Sequence, residues 1–136
     1  MLNHARRLFT CAALFNGSVV LGLLLLEPLL QPWLRLESAS GSNLALRDLG
    51  LALIATFALA YLCVAYRPEQ FRPYIGLGVV GKCLVVVAIY AHWLAGHIGW
   101  QLPALALGDV VFSVLFVDFL NRYPSALSTQ QKELSL

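Results

Sequence analysis

Charge is what this sequence has least of. Lys, Arg, Asp and Glu make up 12% of its 136 residues, against roughly 25% in a soluble domain. No basic stripe with interleaved aromatics occurs, which argues against nucleic acid as a partner. The three cysteines, Cys11, Cys63 and Cys83, are odd in number. Their spacing fits neither a zinc motif nor a disulfide framework, and each reads as a small buried hydrophobe within an apolar run. HExxH-type metal spacing is missing, and no pattern names a cofactor.

What remains is apolar. Hydrophobic residues form 60% of the chain, more than the ~45–50% a soluble fold of this size can hide. A membrane span needs ~20 mostly apolar residues, and four such runs occur, at about 8–30, 47–66, 74–97 and 104–121. They use most of the chain and leave no room within it for a separate extramembrane domain. Arg6 and Arg7 before the first run also fit a signal peptide, with Ser38-Ala39-Ser40 as a cleavage site. That run far exceeds the usual ~7–15-residue signal core, so a retained helix is expected.

Punctuation between the runs is clear. Glu27-Pro28 and Gln31-Pro32-Trp33 are expected to end the first span at an interface, where Trp is at home. Residues 35–46 read as a polar loop, 67–73 as a tight charged turn with two prolines, and 99–103 as a second short turn. The polar tail, 122–136, is expected to fray. Short turns predict that spans two and three, and three and four, are neighbours. Small residues mark packing faces: Ser18 and Gly22 on the first span, Ala52, Ala55, Thr56, Ala58 and Ala60 on the second, Gly78 and Gly81 on the third. The expected fold is all-α, a single-domain antiparallel bundle of four spans.

Basic residues set the orientation. With four spans, Arg6, Arg7, Arg67, Arg72, Arg122 and Lys132 share one side, and Arg35 and Arg47 the other. This bias predicts both termini in the cytoplasm of a bacterial inner membrane.

Gly76-Leu-Gly78-Val-Val-Gly81-Lys82 matches both a dinucleotide fingerprint and a phosphate-binding loop. Those motifs need a preceding strand and a soluble βαβ unit, whereas a proline turn precedes these residues and a span contains them. Nucleotide binding is therefore rejected in favour of helix packing through glycine.

Ionisable residues inside spans are costly and default to functional candidates. Counting depth at ~1.5 Å per residue, Asn16, Lys82 and Asp118 fall in a cytoplasmic-half cluster, with Lys82–Asp118 the expected ion pair. Glu27, Arg47, Asp48, His92 and Asp109 fall on the opposite side, in one outward-facing pocket with Ser113 as its floor. Arg47–Asp109 is a conceivable tie between helices, and Asp118–Arg122 an i,i+4 pair that could satisfy itself. At ~100° per residue, Asp109 and Asp118 point to opposite sides of their helix, and His92 and His97 stand about 140° apart, which argues against a helical metal pair.

Several short motifs carry a resemblance. They are Asn16-Gly17 and Glu27-Pro28, Arg47-Asp48 with Gly50, the Tyr66–Pro68 turn, Gly81-Lys82, and Gly108-Asp109. With them the chain resembles small bacterial four-helix membrane proteins of the broad DoxX-like kind, some of which serve redox enzymes as membrane partners. The resemblance implies no catalytic residue.

The functional expectation is a non-enzymatic accessory or scaffold subunit, packed against other membrane subunits or its own copies. The alternative is a site for a quinone, lipid or other amphipathic molecule, with proton transfer by His92 and Asp109. A third reading is a small dimeric transporter with Lys82 and Asp118 on its path.

Overall fold

The structure, a computed structural model, describes residues 2–124. Lys132 and the tail beyond Pro124 lie outside the described residues. The described residues are helical, without a strand. In order they form α1 (Leu2–Leu25), α2 (Glu27–Leu34), α3 (Ser42–Tyr66), α4 (Arg72–Leu94) and α5 (Gln101–Arg122). All but α2 are long and apolar enough to cross a membrane. Their lengths, roughly 33–38 Å at ~1.5 Å per residue, exceed the ~30 Å of bilayer hydrocarbon. The outer faces suit lipid: Leu14, Leu25, Leu84 and Leu94 are 65–79% exposed, an apolar surface that water would not tolerate.

Several boundaries differ from the sequence expectation. The first span begins at Leu2 and stops at Leu25, five residues short of the expected end. Glu27-Pro28 opens α2 rather than closing the span, because a proline in the first turn has no N–H to lose. The chain bends at Leu26, whose N–H still donates to the Gly22 carbonyl at 2.8 Å while its own carbonyl accepts from Leu30 at 2.9 Å. The expected 35–46 loop is shorter, since α3 already begins at Ser42. Pro73 and Pro103 sit in the first turns of α4 and α5, so both helices start before the positions read from sequence.

Packing alternates between two modes. α1 lies closely along α3, and α4 along α5. The two pairs meet less closely, and rings fill the space between them. On the α1/α5 side, Phe9 meets Phe116 at 4.8 Å between centroids, and Phe15 meets Phe112 at 5.5 Å. On the α3/α4 side, Tyr61 lies over Gly78 and Phe57 over Gly81. The turn at 67–71 makes α3 and α4 neighbours, yet α3 packs more closely on α1.

The buried core occupies one end. It joins Ala5, Phe9 and Ala12 of α1 with Tyr61 and Val64 of α3, Ile75 of α4, and Phe116 and Phe119 of α5. His4 stacks on Phe119 at 5.9 Å. Arg72 donates to the Leu120 carbonyl at 3.0 Å, tying the start of α4 to the end of α5. The other half of the bundle is less densely filled and holds a cavity.

Cysteine placement departs from expectation. Cys11 and Cys83 are exposed on the outer faces and Cys63 is half-buried. An apolar run is no guide to burial when the surrounding solvent is itself apolar.

Candidate functional site

Lys82 stands near the middle of α4, ten residues from its start and twelve from its end. It is 5% exposed. Its ammonium forms an ion pair with Asp109 of α5 and donates to the Asn16 Oδ1 of α1 at 3.3 Å. Three rings surround it: Phe15 at 5.6 Å, Tyr61 at 5.5 Å and Phe112 at 5.4 Å from Nζ to centroid. The ring faces stabilise the cation by roughly 0.5–2 kcal/mol each where water is excluded. Asp109 supplies the charge balance without which a lysine at this depth would be untenable. All four long helices therefore contribute to one buried polar centre.

Glycines make this approach possible. A Cβ at Gly108 would fall 2.6 Å from Phe15 Cζ, and one at Gly78 would fall 2.8 Å from Tyr61 Cε1. The residues 76–82 singled out as a nucleotide pattern lie inside α4, so no phosphate-cradling loop exists there.

Above the ion pair, in the less densely filled half, is a cavity of about 220 Å³. Val19 and Leu23 of α1, Ile54 and Phe57 of α3, Val85 and Ile89 of α4, and Leu102 and Leu105 of α5 form its walls. Lys82, Asp109, Asn16 and the phenol of Tyr61 are its polar lining residues. A second cavity of about 200 Å³ lies beside it, lined by Glu27, Gln31, Glu37 and Arg47. Leu23 borders both.

The expected pairings rearrange. Lys82 pairs with Asp109, not Asp118; Asp118 is taken by Arg122 at 2.8 Å, on the outside of the bundle. Depths counted from Tyr74 and Ala104 had put Lys82 and Asp109 in opposite halves, although both are near mid-helix and long side chains bridge the remainder. Asn16 does join Lys82. Arg47 does not reach Asp109; it binds Glu27 at 2.5 Å and Asp48 at 2.9 Å, half-exposed at the rim. Ser113 is buried with its hydroxyl unpartnered among the described residues, and it does not line the cavity.

His92 belongs to neither group. It is exposed, ten residues or about 15 Å beyond Lys82 along α4, so it does not act on Asp109. It meets His97 instead, Nδ1 to Nδ1 at 3.0 Å. The 140° separation assumed a continuing helix. In fact α4 ends at Leu94, and Gly96 takes the left-handed conformation (φ 78°) that turns the chain back.

The residues that sequence reasoning missed are Phe15, Tyr61 and Phe112. Their signal was present as Phe57/Tyr61 and Phe112/Phe116 at i,i+4 spacing, and in glycines of the neighbouring spans, with Tyr61 over Gly78, Phe57 over Gly81 and Phe15 over Gly108.

Neither the family models nor the curated proteins nor the solved structures contain a match to this chain. The DoxX-like resemblance therefore rests on the short motifs quoted above.

Proposed function

We propose that this is a bacterial inner-membrane protein that binds a neutral amphipathic small molecule in its central cavity. The observation that carries this reading is an apolar chamber walled by all four long helices, with one ion pair at its closed end. Lys82 and Asp109 cancel each other, so a charged ligand would meet no net counter-charge. An ammonium has three donors; Asp109 and Asn16 take two, leaving one for a carbonyl or ether oxygen. A quinone, or a lipid with a small oxygen-bearing head, has this combination. The apolar body would rest against Val19, Ile54, Val85 and Leu105, in the manner of pockets with few, well-placed polar groups.

The accompanying topology is an antiparallel four-span bundle with both termini cytoplasmic. The six-to-two division of basic residues supports the orientation. The contacts of His4 with Phe119 and of Arg72 with Leu120 support the antiparallel arrangement. The solid core then lies toward the cytoplasm and the half with the cavity faces outward.

Native mass spectrometry of protein extracted gently from its own membrane tests the reading. A defined small molecule should accompany the protein and be lost from Ala106→Phe, which places a ring in the chamber. An empty chamber in a protein held within a larger assembly would replace this proposal with a scaffold role.

A further inference from the structure

A groove of about 380 Å³ lies away from the chamber, on the outer surface where α3 turns into α4. Leu62, Cys63, Tyr66, Arg67, Gln70 and Phe71 line it. Its wall is graded from charged to apolar. Arg67 closes α3 at the lip, and Leu62 stands about 7.5 Å deeper at ~1.5 Å per residue.

The Arg67 guanidinium is held from two sides. Its Cζ lies 5.4 Å from the centroid of the Tyr66 ring, and Nη1 donates to Gln70 Oε1 at 3.3 Å. Both partners are neutral. Among the described residues Arg67 forms no ion pair, so its charge is not compensated. The surroundings add to it. Arg6, Arg7, Arg72 and Arg122 lie at the same end of the bundle, where the described carboxylates are Glu69 and Asp118, and Asp118 is held by Arg122.

We propose that this groove binds an anionic phospholipid, with its phosphate on Arg67 and an acyl chain along Tyr66, Cys63 and Leu62. A guanidinium presents a planar fork of donors that matches a phosphate, and basic pockets at the ends of transmembrane helices take anionic headgroups. The descent from guanidinium through phenol to aliphatic side chain follows that of a phospholipid from headgroup through ester to hydrocarbon. Tyrosine is at home at the middle level. A zwitterionic lipid brings its own ammonium to an end already rich in arginine, so the anionic lipid is preferred. The inference rests on the membrane-spanning reading and is independent of any ligand in the chamber.

Cys63 reports on the groove directly. In the full chain carrying Cys11→Ala and Cys83→Ala, purified in neutral detergent, alkylation of Cys63 by N-ethylmaleimide is timed with added phosphatidylglycerol or phosphatidylcholine. Phosphatidylglycerol should protect Cys63 at about fivefold lower concentration, the worth of one basic residue beside an anionic headgroup. Arg67→Gln, a change at an exposed side chain, should abolish the preference, and Arg67→Lys should keep most of it. Inorganic phosphate should protect nothing, since it has no chain to lie in the groove. Equal protection by the two lipids, a preference that survives Arg67→Gln, or protection by phosphate alone would overturn the proposal.

Discussion

The phenol ring of Tyr61 lies across Gly78, so close that a methyl group at Gly78 would sit 2.9 Å from the hydroxyl oxygen. Tyr61 is 1% exposed and also packs against Phe116 and the Lys82 ammonium. Moving it would disturb the core and the polar centre together. Gly78→Ala should therefore cost about 1–3 kcal/mol, the usual range for overpacking. Gly17→Ala, with nothing within 4 Å, should be neutral or gain up to ~1 kcal/mol through helix propensity. Denaturation midpoints of the two variants in detergent measure the difference; equal midpoints would contradict the close approach.

The Lys82–Asp109 pair should behave as a unit. Either Lys82→Met or Asp109→Leu leaves one charge buried and unpaired, at a cost of about 3–5 kcal/mol. The double variant leaves neither, and should recover most of that stability. A double-mutant cycle in SDS unfolding measures the coupling, and a double variant no better than the worse single one would show that the two side chains do not meet.

Arg47 and Glu27 form an ion pair too, but their side chains are 27% and 37% exposed. Solvent screens them, so Arg47→Ala should lower stability far less than Lys82→Met or Asp109→Leu in the same assay. The order of effects, Lys82 well above Arg47, follows from burial alone.

Topology has its own test. In a background without Cys11, Cys63 and Cys83, Ser38→Cys lies between α2 and α3 and Gln70→Cys between α3 and α4. A membrane-impermeant maleimide should label the first in intact spheroplasts, and the second only after the membrane is opened. The reverse pattern would invert the orientation.

Span number and helix type were legible in the sequence because bilayer thickness and apolar run length are tied together. Helix ends were less so. Pro28, Pro73 and Pro103 were read as stops, whereas each lies in a first turn, and a proline is tolerated there for the same missing N–H that excludes it later in a helix. Asn16 and Lys82 were correctly grouped from depth. Asp109 was assigned to the other half because depth counted from mistaken helix ends carries an error of several ångströms, comparable with the reach of a lysine. The His92–His97 contact was out of reach of helical periodicity, since it depends on the helix stopping at Leu94 and on one glycine beyond it. The ring cage needed the pairing of α1 with α3 and of α4 with α5, which no single span records.

Leu23 borders both the apolar chamber and the cavity lined by Arg47 and Glu27. One aliphatic side chain thus lies between a charge-lined cavity and the chamber that holds the buried lysine. A smaller side chain at Leu23 would join the two cavities and bring water toward the Lys82–Asp109 pair, weakening its attraction by raising the local dielectric. Strength of the central ion pair and access to the chamber would then change together.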